Sequence, residues 1–157
     1  MTVTNVMRIL KQKGIPFRTA EYAVDESDLS GVHAAEAIGM AKETVFKTLV
    51  ARGDRTGICV FVIPVAEELD LKKCAAVSDN KRVEMIHVKE LLPLTGYVRG
   101  GCSPIGMKKK YPTFIDETAI LFEEISVSAG RRGQQAILNP QSLSDAAEAG
   151  FFDLVKD

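Results

Sequence analysis

The sequence predicts an α+β domain: a curled, mixed but largely antiparallel β-sheet, barrel-like in its curvature, with short helices packed outside it. Three observations carry this. Short apolar runs bounded by Gly, Pro, Asp and Asn recur along the chain and read as strands. Stretches with helical spacing are scattered irregularly among them, which argues against a regular parallel βαβ fold. Two runs, 45–50 and 58–63, are joined by Gly53-Asp54-Arg55-Thr56-Gly57, a hairpin signature.

In chain order, Thr2 or Thr4 caps a first helix with Val3, Val6, Met7 and Leu10 on one face, and Gly14 ends it before Ile15-Pro16. Residues 17–24 read as an extended segment carrying Tyr22, and 25–31 as polar loop. A short helix over 32–38 stops at Gly39; His33 on it reads as a structural or exposed histidine rather than a ligand. After the 45–63 hairpin, Asp70 caps a helix through Leu71, Cys74, Ala75 and Val77. Residues 83–86 read as a strand and 88–92 as a helix ended by Pro93. Strands are expected at 113–116 and 124–128, a glycine loop at Ser128-Ala129-Gly130-Arg131-Arg132-Gly133, and a strand at 136–138. A helix over 144–149 closes at Gly150, and 151–155 is a final strand or docked tail.

The 157 residues fit a single domain spanning 1–157, and 46% hydrophobic with 26% charged residues is average for a globular protein. The longest apolar run, Ile58 to Ala66, is broken by Pro64 and falls far short of the roughly 20 residues a membrane helix needs. The N-terminus has no signal-peptide pattern, so a cytoplasmic protein with no membrane partner is expected. Cys59, Cys74 and Cys102 are odd in number and widely spaced, which predicts neither a disulfide framework nor a zinc site; no metal or cofactor is expected. A net charge of −1 argues against a protein that grips nucleic acid over its whole surface, and DNA is not an expected partner. Positive charge is nevertheless clustered at Lys72-Lys73, Lys81-Arg82, Lys108-Lys109-Lys110 and Arg131-Arg132. The last two clusters flank glycine-rich stretches and mark a candidate phosphate-binding face.

Gly96 to Gly106 contains four glycines and a proline, a composition that reads as loop. It is either a plain turn between elements or a ligand loop whose bare N–H groups approach an anionic or carbonyl-bearing substrate, with the following lysines supplying charge. Gly101 and Gly106 have phosphate-loop spacing, but Met107 stands where that motif needs lysine and no Ser or Thr follows. Cys102 has a loop position that suits a nucleophile, without a neighbouring His or acid to activate it. Lys47 is the other anomaly. A lysine in mid-strand, on the face of Val45 and Leu49, either protects a sheet edge or points into a pocket.

Three pieces then coincide in order: Val45-Phe46-Lys47-Thr48-Leu49, Gly100-Gly101-Cys102-Ser103-Pro104-Ile105-Gly106, and Val127-Ser128-Ala129-Gly130-Arg131-Arg132-Gly133. With Thr95-Gly96-Tyr97 before the second piece and Pro64-Val65 through Leu69-Asp70-Leu71-Lys72-Lys73 upstream, the chain resembles the YbaK/EbsC family over nearly its whole length. That family consists of free-standing Cys-tRNA(Pro) or Cys-tRNA(Cys) deacylases related to the editing domain of bacterial prolyl-tRNA synthetases. The resemblance implies the YbaK/aminoacyl-tRNA synthetase-associated fold, and hydrolysis of an ester between cysteine and tRNA. The alternatives are a deacylase shifted to another small amino acid such as alanine, or a non-catalytic nucleotide or tRNA-end binding module. Aminoacylated tRNA is the implied partner, with prolyl-tRNA synthetase beside it.

By the same resemblance Lys47 is the catalytic residue, stabilising charge rather than acting as a base. Gly100, Gly101, Ser103, Pro104 and Gly106 are implied to wall the pocket around the terminal adenosine and ester, with Tyr22, Thr48, Ser128 and Gly130 nearby. Lys108, Lys109, Lys110 and Arg131 are the residues expected to meet tRNA phosphates. Two positions depart from the family pattern: Ala129 stands where relatives often have glycine, and Gln135 where some carry aspartate near the pocket.

Overall fold

The structure is a computed structural model that describes residues 2–157. Its elements are α1 (Asn5–Gln12), β1 (Arg18–Glu21), α2 (Gly31–Ile38), β2 (Phe46–Gly53), β3 (Gly57–Pro64), α3 (Leu71–Val77) and β4 (Val83–Met85), followed by α4 (Val88–Thr95), β5 (Thr113–Asp116), β6 (Ile125–Arg131), β7 (Gln134–Leu138), α5 (Pro140–Ala147) and β8 (Gly150–Phe152). Short 3₁₀ turns occupy Lys42–Thr44 and Glu117–Leu121. The expected α+β class is met. Strands β1-β7-β6 form one sheet and β4-β2-β3-β5-β8 another, mostly antiparallel, with parallel pairing only at β3–β5 and β5–β8. The two sheets meet where Val45 bridges Ser126.

Strand alternation explains how the sheets acquire their two faces. In β6 and β7, Ile125, Val127, Ala129, Ala136 and Leu138 are buried against Val6, Met7 and Leu10 of α1. The Thr4 hydroxyl starts that helix by accepting the Met7 N–H (3.3 Å). The intervening residues Ser126, Ser128 and Gln135 point to the opposite face. β3 runs through the centre of the larger sheet, buried from Cys59 to Pro64. Phe61 and Ile63 pack with Cys74 and Ala75 of α3, whose cap is the Asp70 carboxylate accepting the Lys72 and Lys73 N–H groups (3.0 and 3.1 Å).

Three expectations need correcting. The helix over 88–92 does not end at Pro93 but runs through it to Thr95 and closes on Gly96, whose φ of +87° is open to glycine; the proline removes a single intrahelical bond without stopping the turn. Residues 128–131 are not a loop. They are the end of β6, where the register to β7 slips between Ser128 and Arg131, so the extra residues are taken up as a bulge. The helix placed at 144–149 starts earlier, at Pro140, because Asn139 accepts the Gln141 and Ser142 N–H groups and Pro140 fits the first helical position; Gly150 opens β8 instead of closing the helix.

Candidate active site

The site is a gap in strand pairing. β2 pairs with β3 along its whole length, whereas its other edge is covered by β4 only at Ala51–Gly53 and is met by β6 only at Val45. Between these points no strand pairs with the edge among the described residues, although the Ile86 N–H reaches the Val50 carbonyl (3.3 Å), and a cavity of about 380 Å³ opens there, a volume suited to a small ligand. Its floor is Val45 to Val50. Its walls are the start of α2 (Ser30, Gly31, Ala34), the β4–α4 junction, the loop after α4 at Arg99, Gly100 and Cys102, and Ser128 and Gln135 from the smaller sheet.

Lys47 is half-buried in this cavity, and burial lowers its ammonium pKa from the ordinary lysine value, opposed by the charges of Glu68 and Glu67. Thr48 Oγ1 beside it is shielded from solvent and makes no hydrogen bond within the protein. A buried hydroxyl without a partner is uncommon, and here it is available to whatever occupies the cavity. Across the gap Ser128 and Gln135 are directly opposed in the β6–β7 register, and the Ser126 hydroxyl donates to Gln135 Oε1 (2.8 Å). Tyr22 stands at the rim, its N–H bound to the Gly133 carbonyl (3.0 Å) and its ring edge-on to His33, centroids 6.3 Å apart. His33 is thus half-buried packing for Tyr22, as its sequence context suggested.

The structure brings together Tyr22, Lys47, Thr48, Gly100 and Ser128 from the expected set, and it leaves Gly101, Ser103, Pro104, Gly106 and Gly130 outside the cavity lining. Those five shape the loop instead. A Cβ on Gly101 would lie 3.0 Å from the Arg132 nitrogen and 3.2 Å from the Arg131 carbonyl carbon, so only glycine lets the loop lie on the β6–β7 hairpin. Ser103 is fully buried, its hydroxyl accepting the Ile105 N–H (3.3 Å), and Pro104 is buried beside it. Gly106 and Gly130 both pack against Tyr97, whose hydroxyl donates to the Ile105 carbonyl and pins the loop. Arg132 adds a clamp: its Nε donates to the Arg99 carbonyl (2.8 Å) and its Nη1 lies 3.6 Å from Glu26.

Lys108, Lys109, Lys110 and Arg131 are exposed, and none lines the cavity. Lys108 Nζ reaches the Pro93 carbonyl (3.5 Å), Lys110 Nζ its neighbour's carbonyl at Tyr111 (2.9 Å), and Arg131 borders a shallow depression with Gly130 and Arg132. Sequence reasoning passed over Arg99, His87 and Ser126; only the fold brings the first two to the cavity mouth and the third behind Gln135. Among the described residues no cluster of three or more His, Cys, Asp or Glu is placed to hold a metal ion, and no helix is long and apolar enough to cross a membrane.

Cys102 touches the cavity, but burial pushes its thiol up to about 12, so it is protonated at neutral pH and a poor nucleophile. Burial likewise raises Cys59 to about 11 and Cys74 to about 12. Cys102→Ser is therefore expected to keep its turnover; complete loss of turnover in a folded Cys102→Ser protein would instead make this thiol the nucleophile.

Comparison with known proteins places the chain in a family. Residues 29–146 match the aminoacyl-tRNA editing domain family. The chain is 48% identical over 151 residues, 96% of its length and 92% of the relative's, to a protein of Enterococcus faecalis (strain ATCC 700802 / V583) named "Putative Cys-tRNA(Pro)/Cys-tRNA(Cys) deacylase EbsC". Among solved structures, one described as "a putative trans-editing enzyme for prolyl tRNA synthetase" superposes with a TM-score of 0.84 at 23% identity, covering 99% of this chain and 100% of that one. The hypothetical protein APE2540 superposes with a TM-score of 0.88 at 21% identity, covering 98% and 100%. These two share the fold. With the family match spanning most of the chain and a relative 48% identical over 96% of it, the chain belongs to the aminoacyl-tRNA editing domain family and is a hydrolase that removes amino acids from tRNA.

Proposed function

We propose that this protein hydrolyses the ester of mischarged Cys-tRNA(Pro), with Cys-tRNA(Cys) as a second substrate. The observation that carries this reading is the uncovered edge of β2, where Lys47 and the unpartnered Thr48 hydroxyl share one small cavity with Gly100 and Ser128. The substrate assignment is supported by the name of the Enterococcus relative. A small pocket rejects a near-isostere by only about a hundredfold, so a synthetase that mistakes cysteine for proline needs a second, hydrolytic sieve. The rest of the reading follows from the same resemblance: the whole chain is one editing domain acting in the cytoplasm. It works alongside prolyl-tRNA synthetase, with Lys108, Lys109, Lys110 and Arg131 on tRNA phosphates.

The chemistry asks little of the protein. An aminoacyl ester is already activated, so holding it and stabilising the developing oxyanion is enough. Lys47 supplies the positive charge, Thr48 and Ser128 hold the ester and ribose oxygens, and the Gly100 loop encloses the terminal adenosine. The substrate's own thiol, with an ordinary pKa near 8.5, supplies the nucleophile. The carbon–sulfur bond forms, the ester carbon–oxygen bond breaks, and the released ribose hydroxyl takes up the proton that the thiol gave up; water then opens the resulting thiolactone, breaking the carbon–sulfur bond and returning a proton to the sulfur, so that the net reaction is hydrolysis to free cysteine.

A panel of Cys-, Ser-, Ala- and Pro-tRNA(Pro) tests this, with the expected result being rapid loss of cysteine alone. Equal rates for the cysteine and serine esters would eliminate the thiol. Selective release of alanine would establish the second reading, favoured by Gln135 at the cavity wall, of an editing enzyme shifted to another small amino acid.

A further inference from the structure

We propose that Gln135 makes this cavity selective for the uncharged form of the substrate's α-amino group, so that an aminoacyl ester is taken as the free amine and refused as the ammonium. The inference rests on the aminoacyl-ester reading above and specifies which form of that substrate the site accepts. Gln135 is 5% exposed, faces the cavity from β7, and has its Oε1 occupied by the Ser126 hydroxyl at 2.8 Å. Among the described residues no hydrogen bond is seen at its Nε2, so this amide has donors to offer an occupant, while the Ser126 hydroxyl already takes one of the two acceptor positions of Oε1. An amine lone pair can accept from such a group; an ammonium, which only donates, cannot.

The charges around the cavity act in the same direction. From β2 it receives Lys47 and from the loop after α4 Arg99, while His87 at the start of α4, Tyr22 and Cys102 are its other polar side chains with a titratable group. Among the described lining residues there is no Asp or Glu; Glu67 and Glu68 act on Lys47 but lie outside the lining. An ammonium entering here loses water, finds no carboxylate and meets like charge. The free amine avoids all three costs. It is also accessible near neutral pH, because an α-amino group titrates at about 7.7–8.0 even before the acyl group withdraws electrons from it.

The test uses the full chain and two non-hydrolysable ligands, adenosine carrying a 3′-amide-linked alanyl group and its lactyl counterpart with hydroxyl in place of amine. Their dissociation constants are measured by calorimetry from pH 5.5 to 8.5. The ratio of the two cancels any pH dependence that the protein contributes equally to both ligands. For the wild type this ratio is expected to change about tenfold per pH unit below the amine pKa, in the sense of tighter alanyl binding as pH rises, and then level off. In Gln135→Glu the slope flattens or reverses, since a carboxylate welcomes the ammonium. A wild-type ratio that is flat, or that favours the alanyl ligand as pH falls, overturns the proposal without needing the variant. Failure of both ligands to bind at any pH overturns the aminoacyl-ester reading and this inference with it.

Discussion

Replacing Lys47 by alanine lowers deacylation roughly 10²–10³-fold while tRNA binding and the folded state persist, the scale of losing one group that stabilises a developing oxyanion. A lysine in mid-strand, half-buried beside Val45 and Leu49, destabilises the fold: its pKa is lowered in the native state, so the unfolded chain holds the proton more tightly. The sign follows. Stability gained from this residue is absent at neutral pH and recovered only as pH rises from the lowered folded value towards the ordinary 10.5. Lys47→Met should therefore unfold at a higher temperature than wild type at pH 7 while being inactive as a deacylase. A residue that costs stability and is placed in the cavity is there for its charge. Lys47→Arg, which keeps the charge on a larger and differently shaped head, should recover part of the rate. Unchanged turnover in a folded Lys47→Ala protein would remove this residue from the chemistry.

Gly101→Val is expected to lower stability by about 1–3 kcal/mol and to impair catalysis, although Gly101 does not line the cavity. Its missing Cβ faces the backbone of Arg131 and Arg132 at 3.0 to 3.3 Å, and backbone atoms cannot swing aside as a flexible side chain does. A larger residue must lift the loop from the hairpin. That movement breaks the Gly101 N–H bond to the Val98 carbonyl (3.0 Å) and pulls the Arg99 carbonyl from Arg132 Nε, carrying Gly100 away from the cavity wall. Thermal unfolding and the rate on Cys-tRNA(Pro) check the two halves of this prediction. A Gly101→Val protein with wild-type melting temperature and rate would show that the close approach of loop and hairpin has no role.

How much of this was legible in the sequence depends on the range of the interaction. Local chemistry read well: Thr4, Asp70 and Gly39 mark helix ends where the structure has them, and the two runs on either side of Gly53–Gly57 pair as the expected hairpin. Lys47 stood out because a charge in an apolar alternation demands an explanation. The errors came where a local signal was overruled or overlooked. Pro93 reads as a stop although one lost bond does not end a helix, and the start signal at Asn139-Pro140 lies upstream of the 144–149 stretch that reads as helix. Ser128 to Gly133 carries loop composition, yet pairing with β7 through a bulge holds most of it in strand. Ser126 and Gln135 were harder still. Nothing nearby in the chain says that their face of the hairpin meets the bare edge of β2; that follows only from the way two sheets join at Val45 and Ser126.

The most direct test of the account is the initial rate of cysteine release from Cys-tRNA(Pro) by the purified full chain, measured against the uncatalysed rate, with and without prolyl-tRNA synthetase. The account predicts release well above background by the protein alone, further increased when the synthetase is present. No release in either condition, from a folded protein that still binds tRNA, would contradict it and leave a cavity that holds a tRNA end without cleaving it.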